Sequence, residues 1–193
     1  SGQNSDGATT SGNYATAVGN GSLASGESSM ALGYNAEAIN AYSVAVGNES
    51  LVNGSNSMAL GAYSAVGNQD SIVDSATAVG SLAHVYAEDG TALGENAEVL
   101  SKGKKGTALG TDAKVKAREG TAIGAYSSVS AEGGVAVGKG SVADRAAGMK
   151  GYAPVGEAGT SPVWKATDGA VSLGSDSSAR TRQITNLAAG TEN

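Results

Sequence analysis

Apolar residues recur in this chain as one short block, x-Ala-(Val/Leu/Ile)-Gly, set between stretches of Ser, Asn, Gly and charged residues. Nine copies run from Thr16-Ala17-Val18-Gly19 to Val135-Ala136-Val137-Gly138, and their glycines are separated by 14, 14, 14, 19, 14, 16, 14 and 14 residues. Ala31 with Gly33, Ala45 with Gly47, Ala59 with Gly61, Ala92 with Gly94 and Ala122 with Gly124 are typical motif pairs. A fixed period marks a repeat architecture. Each period holds two short strands and two tight turns, which is one flattened coil. Helices are excluded because no 3.6-residue apolar stripe exists and Gly and Ser are too frequent for helix interiors. The pattern predicts an all-β parallel solenoid of about nine to ten coils stacked at roughly 4.8 Å, so nine coils rise about 43 Å.

Alternation assigns the faces. In the first strand the positions three and one before the glycine (Met30 and Leu32, Val44 and Val46) share a face, and the motif alanine takes the other. Both faces are then apolar, and a roll buries only one, so the second asks for a partner, most simply another copy of the chain. In the second strand the small residues three and five past the glycine (Ser22 and Ala24, Ala97 and Val99, Ala113 and Val115) point one way. The position between them, occupied by Leu23, Glu37, Leu51, His84, Glu98, Lys114, Ser128 or Val142, is expected to face solvent.

Composition alone gives a different impression. Leu, Ile and Val number 10, 4 and 17 of 193 residues with no Phe, a level typical of disorder. The period overrules it, and 35 alanines with 30 glycines suit a thin, closely stacked coil. Charge is split along the chain: all 12 Lys and Arg follow residue 100, while residues 1–100 carry ten of the 18 acids. The formal charge is about −10 before that point and about +4 after it. Lys102, Lys104, Lys105, Lys114, Lys116 and Arg118 fall within two coils and read as a solvated face that discourages end-to-end stacking, or as a docking site for an acidic polymer. A net charge of −6 with pI ≈ 4.7 argues against nucleic acid.

Without Cys there are no disulfides or thiolate metal sites, and one His cannot build a histidine cluster. No cofactor and no metal are expected. No stretch of about 18 apolar residues occurs to span a membrane as a helix. Ser1 opens the chain without a signal-peptide pattern, so a fragment of a longer protein is expected. Glu88-Asp89 and Asp70 with Asp74 are the nearest to a carboxylate pair for glycoside cleavage, and acids in turns are usually just solvated. Tyr34, Tyr63 and Tyr126 lie one or two places past a motif glycine, at turns, where they are expected to pack on the roll's edge or to serve as interface anchors.

The period breaks twice. Five extra residues around Gly67-Asn68-Gln69-Asp70 must bulge from one turn. Between Gly138 and Gly174 the spacing is 36 residues, with both prolines and the lone Trp164 in the inserted stretch, after which Ala170-Val171-Ser172-Leu173-Gly174 resumes the motif with Ser for Ala. An excursion containing two prolines cannot join the sheet throughout, so Trp164 with Tyr152 is expected to anchor it.

Serial copies such as Ser29-Met30-Ala31-Leu32-Gly33 and Ser43-Val44-Ala45-Val46-Gly47, with the ending Arg182-Gln183-Ile184-Thr185-Asn186-Leu187-Ala188-Ala189-Gly190-Thr191, resemble the head and neck of YadA-like trimeric autotransporter adhesins. Gly151-Tyr152, Trp164-Lys165 and Asp168-Gly169-Ala170-Val171-Ser172 resemble that family's head-insert motif. The resemblance covers nearly the whole chain. It implies a left-handed parallel β-roll assembled as a homotrimer, a neck leading to a coiled-coil stalk and a membrane-anchoring barrel absent from this sequence, and display on the bacterial outer membrane through type V secretion. The organisation expected is a leader at 1–12, head repeats at 13–148, the insert at 149–169, a last head strand at 170–176 and the neck at 177–193. Within the neck Arg180, Arg182, Gln183, Ile184, Asn186 and Leu187 are expected to contact neighbouring chains. The function implied is attachment to host extracellular matrix proteins or cells. A structural spacer, or a trimeric phage tail-spike enzyme degrading polysaccharide, are the alternatives.

Overall fold

A computed structural model describes residues 7–151, 162, 164–186 and 188. Among them the chain winds as a parallel β-solenoid of two ten-stranded sheets, with the chain alternating between the sheets strand by strand. The first sheet collects the motif strands from Thr16–Val18 to Val135–Val137 and closes with Val171–Ser172. The second collects two-residue strands from Thr9–Thr10 through Leu23–Ala24 to Val142–Ala143. The stack therefore starts at Thr9, which pairs with Leu23, earlier than the expected boundary at residue 13. That first strand carries no motif, so the sequence did not mark it.

Register follows the period. Met30 pairs with Val44 and Ala31 with Ala45, and the same ladder continues across the nineteen-residue interval, where Ala59 pairs with Ala78. The five extra residues leave as a tight turn closed by an Asn68–Ser71 bridge, and Val73 returns to the preceding coil by donating its amide to the Asn53 carbonyl (2.8 Å). The longer insert likewise leaves the register intact: Ala136 pairs with Ser172, the residue expected to replace the motif alanine.

The motif alanines line the interior, all fully buried from Ala17 to Ala136, opposite the column Ala24, Ala38, Val52, Val66, Val85, Val99, Val115, Val129 and Ala143. The interior is thus only a few small side chains wide, and the other apolar face of the first strand looks outward. Ser22, Ser50, Ser64 and Ser127 are also buried, and each donates its hydroxyl to the carbonyl of the motif glycine three residues earlier, at 2.7–3.1 Å. These bonds satisfy polar groups that the narrow core would otherwise strand.

Two turn conformations recur. Each motif glycine from Gly19 to Gly138 has φ between +100° and +142°, closed to L side chains, and from Gly19 to Gly124 a Cβ would strike the next motif glycine's backbone. At Gly94 the distance to the Gly110 carbonyl carbon would be 2.6 Å. Glycine is therefore imposed by the coil above as well as by local torsion. Five places before and two places after the motif glycine the backbone is left-handed as well, in two columns that include Tyr14, Tyr42, Glu119 and Asn35, Tyr63, Leu82, Tyr126. Such residues resist positive φ by about 1–2 kcal/mol each. The stack holds them because the left-handed amide points along the axis: Asn35 donates to Asn20 (3.0 Å), Glu49 to Tyr34 (2.7 Å) and Tyr42 to Glu27 (2.8 Å), each one coil back.

Candidate functional site: the outer faces and edges of the roll

Four surfaces are available on this roll: the outer face of each sheet and the two turn edges. The outer face of the first sheet carries an unbroken apolar row, Val18, Leu32, Val46, Leu60, Val79, Leu93, Leu109, Ile123 and Val137, each half-buried or exposed. Beside it runs Thr16, Met30, Val44, Met58, then Thr77, Thr91, Thr107 and Thr121 in continuous register. Because the alanines fill the interior, this face has no covering element among the described residues.

The outer face of the second sheet is mixed. The residues between the two inward positions are half-buried rather than fully solvated, since the pleat sinks them between neighbouring coils. His84 stacks on Tyr86, which follows the end of the His84–Val85 strand, with ring centroids 5.7 Å apart and 9° between planes. Burial holds its imidazole below the ordinary value of 6.5, against the raising influence of Glu98, its partner in the next strand. Glu98 in turn receives Lys114 at 3.0 Å.

The cationic cluster looks different in three dimensions. Lys104 pairs with Glu88 of the preceding coil, Arg118 with Glu119 (3.1 Å) and Lys114 with Glu98. The Lys105 amide donates to the Glu88 carbonyl and the Glu119 amide to Lys104, so acids and bases alternate up this edge. Lys116 is exposed on the second sheet's outer face. Three of the six cations are thus paired with acids, while Lys102, Lys105 and Lys116 are exposed with no ion-pair partner among the described residues. Glu88 is thereby engaged by Lys104, and Asp74 accepts the Ser55 amide (2.6 Å), so neither expected carboxylate pair is a free acid–base pair.

The three tyrosines are about half exposed at the edge. Tyr34, Tyr63 and Tyr126 are 53%, 47% and 59% exposed, and the backbone at Tyr63 and Tyr126 is left-handed. Tyr14 and Tyr42, which sequence reasoning passed over, are exposed at the opposite edge, five places before the glycine. Their positions in the period were the available signal.

At the C-terminal end Arg180 donates to the Lys139 carbonyl (2.8 Å), and Arg182 reaches the Lys139 carbonyl (2.6 Å), the Ser141 hydroxyl (2.9 Å) and the Leu173 carbonyl. Arg180 and Arg182 were expected to contact neighbouring chains, and these bonds run within one chain. They close the last coil, with the guanidinium groups lying over Gly138 and Gly140, where a side chain would block them. Gln183, Ile184 and Asn186 are exposed, and Leu187 lies outside the described residues. The insert leaves and returns on a short antiparallel ladder, with Gly151 donating to the Trp164 carbonyl (2.8 Å) and Lys150 bridging Lys165. Trp164 is half-buried at its base, and Tyr152 lies outside the described residues. Among the described residues no group of three or more His, Cys, Asp or Glu could hold a metal ion, and no helix is long and apolar enough to cross a membrane.

A coil of this period, with small residues inside and an apolar outer face, defines a stacked-repeat parallel β-solenoid. Residues 6–22, 24–50, 38–64, 74–97, 101–127 and 116–141 match the family described as YadA head domain repeat (2 copies), well over half the chain. The chain belongs to that family and is a YadA-like head of a trimeric autotransporter adhesin. The fold matches the crystal structure of the collagen-binding domain of Yersinia adhesin YadA with a TM-score of 0.50 and 23% identity, over 95% of this chain and 78% of that one. No curated protein matches by sequence.

Proposed function

We propose that the chain attaches a bacterium to host extracellular matrix or cell surfaces as a rigid homotrimer of left-handed rolls on the outer membrane. The observation that carries this reading is the apolar row from Val18 to Val137. One exposed apolar column could be incidental, but an uninterrupted one along the stack is a self-complementary face, and three copies around an axis bury it without leaving an open edge. The second sheet and both turn edges then face outward three times over, and avidity multiplies weak single contacts. The segment from Ser177 onward serves as the neck, where Gln183, Ile184, Asn186 and Leu187 bridge the chains.

A screen of the assembled fragment against collagen, fibronectin and laminin tests the adhesive part. Saturable binding to at least one supports it, and binding to none counts against it. Sedimentation equilibrium tests the assembly, with about three times 18.6 kDa expected. A folded monomer at micromolar concentration would refute the trimer.

A further inference from the structure

The outer face of the second sheet holds an open cleft of about 420 Å³ lined by Asn35, Glu37, Glu49, Ser50, Leu51 and Gln69. Glu37 and Leu51 are register partners in adjoining strands, and Glu49 enters from the left-handed turn two residues before Leu51. Gln69 comes from the five-residue bulge. That bulge is held by the Asn53 side-chain amide on the Asn68 carbonyl (2.7 Å), by the Asp70 amide on Asn68 Oδ1 (2.9 Å) and by the Asn68–Ser71 bridge. An insertion found in a single coil thus walls a cleft that the plain repeat would leave open.

Charge selects the occupant. Both carboxylates stand in the half of the chain that has no Lys or Arg at all, and neither has an ion-pair partner among the described residues. Their counterparts further along do: Glu98 occupies the same position in its coil as Glu37 and is paired with Lys114. We infer that this cleft receives a lysine or arginine side chain from a protein ligand, the ammonium or guanidinium lying between Glu37 and Glu49 with its methylene stem along Leu51. Snorkelling side chains combine these two needs, an apolar floor and an anionic end. Asn35 and Gln69 add amide oxygens for the remaining N–H donors. The ligand role rests on the adhesive reading, but the chemistry of the cleft can be tested apart from it.

The probe is a blocked tetralysine peptide bearing a fluorophore, titrated against the full fragment by anisotropy at low salt. Glu37→Gln with Glu49→Gln should weaken binding about tenfold, the loss of both carboxylates that flank the cation. The same removal of two charges at Glu27→Gln with Glu95→Gln should change it by less than about twofold, as expected for screened surface acids. Leu51→Lys, which supplies the cleft with a cation of its own, should weaken peptide binding as strongly while melting like the parent. Equal weakening in both double variants would show a diffuse acidic field and overturn the inference. So would displacement of the peptide by equimolar calcium or by a neutral oligosaccharide, which would assign the cleft to a metal or a sugar. Peptide binding without binding to any matrix component would refute the adhesive reading and leave the cleft's chemistry standing.

Discussion

The coils near residue 30 and those beyond residue 85 enclose the same space with different side chains. In the early coils Ala24 lies before Ser29 and Ala38 before Ser43, with the serines buried and bonded to the carbonyls of Gly26 (2.7 Å) and Asn40. In the later coils the same two positions are Val85 and Gly90, Val99 and Gly106, Val115 and Gly120, Val129 and Gly134. A Cβ on Gly90 would lie 2.6 Å from Val85 Cγ1, and one on Gly120 2.9 Å from Val129 Cγ1. In these later coils the valine methyls therefore occupy the volume that a serine side chain fills in the early ones, while Val52 and Ser57 are buried together only where the five-residue bulge brings Val73 against Ser57. Coil dimensions are conserved while chemistry drifts from a hydrogen-bonded filling to an apolar one, as close packing requires.

Exchanging the two fillings should break the later coils most. Gly90→Ser, forced against Val85 and the Ala87 carbonyl, should destabilise by about 2–3 kcal/mol, lowering the melting temperature by roughly 5–10 °C. Combining it with Val85→Ala recreates the Ala24–Ser29 arrangement and should recover at least about 1 kcal/mol relative to the sum of the single changes. A strictly additive double variant, read by calorimetry, would show that the two positions do not share volume. Next in size, Val129→Ala should cost about 2 kcal/mol by opening a void beside Gly134 that glycine cannot fill. Ser29→Ala in the early coils should cost only about 1 kcal/mol, the worth of one hydroxyl bond, because the Gly26 carbonyl keeps the Ser29 amide as donor. If Ser29→Ala melted lower than Val129→Ala, the serine coils would depend on polar bonding more than on volume.

The smallest effect concerns pH. His84 is held below its unfolded value of 6.5 by burial, so the unfolded chain takes up a proton that the folded chain resists. Above 6.5 both states are neutral and nothing is lost; as pH falls through 6.5 the stability declines until the folded imidazole also titrates. The melting temperature of the parent should therefore fall slightly more between pH 7.5 and about 5.5 than that of His84→Gln. Parallel curves for the two proteins would remove His84 from the account.

The coil, its two sheets and its register across both interruptions were legible because a motif glycine is demanded by the neighbouring coil at nearly every turn, so the period is written in a residue that cannot be exchanged. The alanine interior was legible as a face, although only the packing identifies it as the inner one. The left-handed columns were not legible: Tyr63, Leu82, Lys105 and Glu119 are residues that avoid positive φ, and what holds them there is an amide bond to the coil below, a tertiary effect invisible to local propensity. The pairing within the cationic cluster was hidden for a related reason. Glu88 and Lys104 are sixteen residues apart in sequence but occupy adjoining coils, so a linear run of lysines becomes a ladder of opposite charges. Arg180 and Arg182 were expected to contact neighbouring chains, yet within this chain they sit over Gly138 and Gly140, some forty positions back, and proximity in the chain gave no hint of that seat.

The two left-handed columns have a consequence for how such a surface changes over time. Each is fixed by backbone bonding alone, and in this one chain the positions already accept Tyr, Ser, Asn, Asp, Lys, Glu, Leu and Gly. The roll therefore resembles a typesetter's frame, in which the glycines and alanines are the fixed metal and the outward turn residues are interchangeable letters. Substitution can reset those letters coil by coil without recasting the frame, and any recognition that reads the letters is as open to revision as the letters themselves.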